Sequence, residues 1–459
     1  MTLPATLQHE LSDLFGDGWL ISPSERVAYA FDNSRREALP DAVALPTTRA
    51  QVQALVRACR AHRVPVVARG RGTNTTGASV PVDGGIVVSF ERMDRILAVR
   101  PGDRCAVVEP GVLNGDLQAA LRPHGLFWPP DPTSAAFSTV GGNLACNAGG
   151  PRAVKYGASR DNVLALTAVT GSGELIICGT ATTKGSTGYD LHRLLVGSEG
   201  TLALIVEASL RLTPTPMARR ALRAIYRDVS SAAQAVARLM AQPVTPSMLE
   251  FMDADAVRLA RDVGGADLPH DAGALLMIEA DGDEELLPYA IEALMAAAEG
   301  DGLVSLDDAA DDAAREKLWA ARKALSPSLR TLAPGKINED VVVPVSRIPH
   351  LVDGVQALSR EFALPIVCFG HAGNGNLHVN LMYHPNDVEQ SARAHAAMAR
   401  VFALTLSLGG TLSGEHGIGL AKRDFMPQAV SAPTLALMRQ VKQVFDPDGI
   451  LNPGKLLPP

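Results

Sequence analysis

At 459 residues the chain is too long for one small domain, and about three domains are expected. Its 47% hydrophobic and 20% charged residues exclude a disordered or fibrous chain. A net charge of −7 gives no electrostatic reason to expect nucleic acid, so an anionic ligand has to be met by local positive charge.

The N-terminal stretch MTLPATLQHELSDLF reads as an amphipathic helix and lacks the basic-then-apolar profile of a signal peptide. No apolar run approaches the roughly 18 residues needed to span a bilayer. A cytoplasmic protein is expected, and a peripheral contact with the inner membrane is compatible with that. Cys59, Cys105, Cys146, Cys178 and Cys368 form no metal-ligand spacing, and each is expected to be a small core residue in a reducing compartment.

Thr47-Thr48 followed by Val52, Leu55, Val56 and Cys59 at helical spacing predicts a capped helix over residues 47–63. Strands are expected at Val64–Ala68, Gly85–Phe90, Cys105–Glu109, Leu164–Thr170, Leu175–Cys178 and Leu202–Leu212. Thr213-Pro214-Thr215-Pro216 reads as a linker. Beyond it come strands at Arg220–Tyr226, Met248–Met252 and Ala274–Ala280, with helices at Ser230–Met240 and Glu284–Glu299. That rhythm resembles a split βαβ, ferredoxin-like sheet with helices on one face. A helix over Ala309–Leu325, strands at Pro365–Phe369 and Leu377–Tyr383, and a helix over Asn386–Leu408 complete an α+β chain.

Three segments carry the chemistry of the first half. In the first, a strand delivers the chain into Arg69-Gly70-Arg71-Gly72-Thr73-Asn74-Thr75-Thr76-Gly77, where glycines and small hydroxyl residues can form an anion-binding concavity. Thr75 breaks the GxGxxG pattern and Ala78 breaks a Walker loop. A flexible surface turn has the same composition. The second runs from Pro130-Asp131 and Ser134 to Thr139-Val140-Gly141-Gly142-Asn143-Leu144-Ala145-Cys146-Asn147-Ala148-Gly149-Gly150. It can lie flat on a large planar or phosphorylated ligand. The third is Gly197-Ser198-Glu199-Gly200-Thr201, leading to Ile205.

In this order and at these separations the segments resemble the FAD-binding domain of the vanillyl-alcohol oxidase/p-cresol methylhydroxylase superfamily. The resemblance implies that Arg69, Gly70, Arg71, Gly72, Thr73, Asn74, Thr76 and Gly77 wrap the FAD pyrophosphate. It implies that Pro130, Asp131, Ser134, Thr139, Gly141, Gly142, Asn143, Ala145, Asn147, Gly149 and Gly150 line the isoalloxazine and ribityl side, with Gly200 and Ile205 near the adenosine. Thr73 stands where many members carry a flavin-linking histidine, so non-covalent FAD is expected.

The second half reads Gly370-His371-Ala372-Gly373-Asn374-Gly375-Asn376-Leu377-His378-Val379-Asn380, and later Ser413-Gly414-Glu415-His416-Gly417. Residues seven apart on one regular strand would point to opposite faces. A turn at Gly373–Asn376 would instead bring His371 and His378 together from adjacent strands. Two imidazoles and a carboxylate suit Zn²⁺ or a similar divalent ion with open positions for a substrate. Isolated structural histidines are the bland alternative, and a metal-dependent hydrolase is the alternative from another class.

GHAGNGNLHVN, SGEHGIG and the terminal FDPDGILNPGK resemble the FAD-linked oxidase C-terminal domain, as in D-2-hydroxyglutarate and D-lactate dehydrogenases and the glycolate oxidase flavin subunit. The resemblance implies His371, His378 and Glu415 as metal ligands, His416 as catalytic base and Asn380 as a substrate contact, with Asn452 in a tail that returns to the flavin. It also implies Arg322, Ser326 and Lys336 around a substrate carboxylate. Serine at 326 stands where the dicarboxylate enzymes have threonine, and Asn374 where Asp is frequent. The expected domains are residues 1–215 for FAD, 216–425 for substrate and metal, and 426–459 as the returning segment. The implied reaction is oxidation of D-2-hydroxyglutarate to 2-oxoglutarate, with hydride transfer from C2 to flavin N5. D-Lactate or glycolate is the rival substrate. The implied electron acceptor is an electron-transfer flavoprotein or a quinone, and a homodimer is compatible with the sequence.

Overall fold

A computed structural model describes residues 3–309 and 311–459, without the side chains of Asp312, Lys317, Ala320, Ala321, Lys323 and Ala324. The chain forms two compact units. One holds Met1–Gly150, Gly157–Thr215 and Glu415–Pro459, and the other Pro151–Tyr156 and Pro216–Gly414.

In the first unit, helix α1 (Ala5–Phe15) buries Leu7, Leu11 and Phe15, one apolar stripe at helical spacing. Met1 and Thr2 of the expected N-terminal helix lie outside the described residues. Strand β1 (Ala42–Ala44) crosses to β2 (Val66–Arg69) through α2 (Arg49–His62), whose cap is Thr48 accepting from Gln51 N. Both strands pair in parallel with β3 (Ile86–Ser89), which lies between them. A second, antiparallel sheet is made of β4 (Ile96–Arg100), β5 (Cys105–Val108), β6 (Val163–Thr170), β7 (Leu175–Gly179) and β8 (Ala203–Arg211). Its order is β4-β5-β8-β6-β7. The expected strands are all present. The expected linker is not wholly loop, since Thr213 and Pro214 pair with Phe127 and Leu126. Four cysteines are buried and Cys146 is half-buried, all unbridged.

The second unit is built on one seven-stranded antiparallel sheet. It opens with β9 (Ala218–Tyr226), helix α3 (Val229–Ala241), β10 (Met248–Asp253), helix α4 (Ala254–Asp262), β11 (Ala274–Gly282), helix α5 (Leu287–Ala298) and β12 (Leu303–Ala309). These four strands lie in the order β12-β9-β11-β10, which is the ferredoxin-like order. Helix α6 (Asp312–Ser328), β13 (Gly335–Val342), α7 (Ile348–Phe362), β14 (Ile366–His371), β15 (Asn376–Tyr383) and α8 (Val388–Ser407) follow. The added strands extend the β10 edge as β14-β15-β13.

Helices cover both faces of this sheet, not one. Ile225 packs in the core shared with Ala256, Leu259 and Leu325 of α4 and α6. Its neighbour Tyr226 points the other way, and its hydroxyl donates to Ala298 O at the end of α5. The near-continuous apolar run of β11 is the sequence signature of such two-sided burial. The expected helix over Ala309–Leu325 begins instead at Asp312, capped by Asp311. Ala309 ends a strand, and Ala310 lies outside the described residues.

Candidate active site

Side chains alternate along a strand, so register decides which residues share a face. Strands β14 and β15 form a hairpin around Ala372–Asn374, pairing His371 with Asn376 and Phe369 with His378. His371 and His378 are therefore diagonal neighbours on one face, with ring centroids 5.1 Å apart at 86°. On the adjoining strand Glu250 pairs directly with His371. On the other side Asp340 pairs with His378, Asn338 with Asn380 and Lys336 with Met382. Phe369, Met252 and Met382 of this same face belong to the core that α4 and α6 cover. The parity rule thus places Glu250, His371, His378, Asn380, Asp340, Asn338 and Lys336 on one surface of one sheet.

Helix α6 brings Arg322 to that surface. Its guanidinium carbon lies 4.6 Å from the centroid of the Phe369 ring, within cation–π range. Its Nε donates to Glu250 Oε2 at 2.9 Å, and Nη2 lies 2.9 Å from the same oxygen. Glu250 Oε1 is in contact with His371 Nδ1. Burial alone would raise the Glu250 carboxyl, but His371 and Arg322 together hold it down at about 2. Ser326, one turn after Arg322, is exposed and receives Lys336 Nζ at 3.4 Å. Asn380 is buried, and its amide donates to Val367 O and His378 O.

The chain leaves this unit at the Gly414–Glu415 peptide bond. Gly414 N donates to Asp340 Oδ2 at 2.9 Å, and Ser413 Oγ donates to both oxygens of the same carboxylate. Asp340 thereby fixes the backbone one bond before Glu415. His371 and His378 thus offer two imidazoles on one face of this unit, and Glu415, the third expected ligand, opens the returning segment of the other unit. Two imidazoles so placed suit a divalent ion by donor type.

His416 follows. Its Nε2 lies 3.9 Å from Glu415 Oε1, and its carbonyl accepts from Asn74 Nδ2 at 2.9 Å. Asn74 also organises its own loop, its Oδ1 accepting from Thr76 N, Thr76 Oγ1 and Ala78 N. The next turn is held by Glu199, whose carboxylate accepts from Ile418 N at 2.6 Å and Gly419 N at 2.8 Å. Burial pushes the Glu199 carboxyl up to about 7, against those two N–H groups and the charges of Lys422 and Lys455.

The three glycine-rich segments of the first unit meet one another closely. A Cβ on Gly70 would stand 2.4 Å from Thr139 Oγ1, and one on Gly200 would stand 3.2 Å from Ala68 Cβ. Thr139 caps the short helix Val140–Cys146 through Gly142 N. Asp131 N donates to Gly149 O, and a Cβ on Gly150 would collide with Asp131. Asn452 Nδ2 ties Ala78 O to Glu199 O, joining the C-terminal tail to the first and third segments. The guanidinium of Arg69 is committed to Phe31 O and Ala28 O, so it shapes the loop from behind. Arg71 is exposed. Ile205 is a core residue of β8. Asn147 adopts φ 53° and accepts from Arg160 N.

Comparison with known proteins decides what this arrangement belongs to. Residues 215–456 match the family of FAD linked oxidases, C-terminal domain, and residues 40–179 match an FAD binding domain. The chain belongs to the FAD-linked oxidases. It is 37% identical over 436 residues to glycolate oxidase subunit GlcD of Bacillus subtilis (strain 168), covering 95% of this chain and 93% of that protein. It is 34% identical to D-2-hydroxyglutarate dehydrogenase of Stutzerimonas stutzeri (strain A1501), covering 99% of each. The solved structure of p-cresol methylhydroxylase with substrate bound shares the fold at a TM-score of 0.82 and 16% identity, over 98% of this chain and 96% of that one.

An FAD-linked oxidase needs a cradle for a dinucleotide, and the first unit fits one. Among its described residues Thr75 Oγ1, Ser138 Oγ and Asn143 Nδ2 are buried without a hydrogen-bond partner, all within or beside the first two segments. Buried polar atoms rarely stay unsatisfied in a folded protein, and a phosphate or a flavin edge would complete them. No described helix is long and apolar enough to cross a membrane.

Glu250, Glu199 and Asp340 were not anticipated from the sequence. The available signal was an acidic residue inside an otherwise apolar strand, Met248-Leu249-Glu250-Phe251-Met252, since a charge so placed demands a partner.

Proposed function

We propose that the chain oxidises a small D-2-hydroxy acid, D-2-hydroxyglutarate first, to the corresponding 2-oxo acid. The observation that carries this reading is the convergence of His371, His378, Arg322 and Lys336 on one sheet face. Imidazole ligands suit a chelating hydroxy acid, and the two cations suit a carboxylate.

In this reading Arg322 and Lys336, with the Ser326 hydroxyl, hold the distal carboxylate and so fix the direction in which the single C2 hydrogen is presented. His371, His378 and Glu415 would hold a divalent ion, zinc by donor type, which when bound supplies Lewis acidity toward the hydroxyl. His416 accepts the hydroxyl proton at its imidazole, the general-base task of the reaction. Asn74 keeps the His416 backbone in place from the loop assigned to the cofactor. Non-covalent FAD, held by the three glycine-rich segments, supplies the acceptor for the hydride. An electron-transfer flavoprotein or a quinone then takes the electrons.

D-Lactate or glycolate is the second reading. The glycolate oxidase subunit is slightly more similar in sequence, and Glu250 already takes up part of the Arg322 fork. Anaerobic bleaching of the bound flavin decides between them. The panel is D-2-hydroxyglutarate, D-lactate, glycolate, D-malate and the L-enantiomers. Fastest bleaching by D-2-hydroxyglutarate is expected. Bleaching by L-forms alone would sink the proposal.

A further inference from the structure

We infer that Glu250 is a positioning residue that couples metal capture to carboxylate capture. It sets the tautomer of His371 with one oxygen and the orientation of Arg322 with the other. The inference rests on the reading of His371 as a metal ligand and Arg322 as a substrate contact.

Glu250 is 1% exposed, at mid-strand in β10, and directly paired with His371 in the sheet. Nothing in the hydroxy-acid chemistry described above calls for a carboxylate at this point. A buried carboxylate must be matched by donors, and here each oxygen serves a different one. Oε1 meets His371 Nδ1. A carboxylate there keeps the ring proton on Nδ1, so the lone pair sits on Nε2. Oε2 takes both Nε and Nη2 of Arg322 at 2.9 Å while the guanidinium lies over Phe369. Nε and one hydrogen of Nη2 are thereby held, and the Nη1 hydrogens and the outer Nη2 hydrogen face away from Glu250 as donors for a substrate. An arginine so bound can still meet a substrate carboxylate end-on, through Nη1 and the outer hydrogen of Nη2.

The coupling follows from the shared group. Anything that draws Glu250 toward the histidine loosens the arginine, and the reverse. Removing Glu250 should therefore weaken two ligands that do not touch each other. A residue that merely filled the core would move neither.

The test uses the full-length, FAD-loaded protein, stripped of metal with a chelator and titrated with zinc against a chromophoric competitor. KM and kcat are read in parallel with the substrate that bleaches the flavin fastest. A glutamine has one acceptor oxygen and no charge, so in E250Q neither arm keeps its charged partner and one loses its acceptor. Zinc affinity should fall about 10–100-fold, the usual effect of losing the carboxylate behind a ligating imidazole. KM should rise at least tenfold, with FAD content unchanged. R322M leaves Glu250 to His371 alone, so KM should rise while zinc affinity rises above the wild-type value. E250D keeps the charge but is one methylene shorter, and should lose one arm. It also serves if E250Q does not fold. Wild-type zinc affinity and KM in both Glu250 variants would overturn the inference. A wild-type protein that binds no zinc would instead overturn the ligand reading, and the inference with it.

Discussion

His371 and His378 stand edge to face, with ring centroids 5.1 Å apart, because a hairpin offsets them by one diagonal step. Spacing along the chain alone would have separated them. The glycines of the turn make the arrangement: a Cβ on Gly375 would stand 1.9 Å from Val343 O, at φ 73°. G375A is expected to disturb the hairpin through both strain and collision. Zinc binding by competition titration should weaken together with a lowered unfolding midpoint.

Metal removal gives a direct prediction. Dialysis against a chelator should abolish flavin reduction by the hydroxy acid while leaving the flavin spectrum intact, and added zinc should restore it. H378A should bind zinc weakly and resist that rescue. Its unfolding midpoint should fall as well, since the ring is buried and lies against Phe369 with ring centroids 6.1 Å apart. Undiminished turnover in the metal-free protein would remove the ion from the reaction.

His416 should behave as a base. H416Q is expected to lower kcat by about 10²–10⁴-fold with FAD still bound, since proton transfer and not cofactor retention is lost. Stopped-flow reduction of the flavin measures this without the acceptor. A variant reduced at the wild-type rate would show that another group takes the proton.

Lys336 should decide between substrates. A hydrogen bond to a charged group contributes about 1.5–3 kcal/mol, so K336M should raise KM for D-2-hydroxyglutarate roughly 10–100-fold. D-Lactate has no distal carboxylate, and its KM should stay within about twofold. Equal effects on both would place Lys336 outside the carboxylate pocket.

The elements that carried local signals were legible in the sequence. Thr48 capping α2 and the apolar stripe of α1 are properties of a few adjacent residues. The histidine pair was legible too, because glycines mark a turn. What escaped depends on neighbours distant in sequence. Glu250 looks like a break in an apolar strand until His371, 121 residues away, is beside it. Strand β12 escaped because LVSLDDA is acidic and largely exposed. It lies at the sheet edge, where acidic partners for Arg220 and Arg223 matter more than apolar alternation. Strand β13 escaped because its polar members Lys336, Asn338 and Asp340 face the site and not solvent. A functional face inverts the usual pattern of hydrophobic-in and polar-out.

Glu199 gives a pH prediction whose direction follows from its burial. Its carboxyl is raised from 4.5 to about 7, so the folded state binds this proton more tightly than the unfolded chain does. Its contribution to stability is present below pH 4.5 and is lost as pH rises toward 7, on the order of 3 kcal/mol for an uncoupled group. The nearby Lys422 and Lys455 charges pull the other way and reduce that figure. E199Q holds no titrating proton and keeps one acceptor for the Ile418–Gly419 turn. Denaturant midpoints of the FAD-bound protein should therefore fall more steeply between pH 5 and pH 7.5 in the wild type than in the variant. The two curves should draw together with rising pH. Parallel curves would mean that Glu199 is already ionised at pH 5, with its two backbone donors outweighing burial.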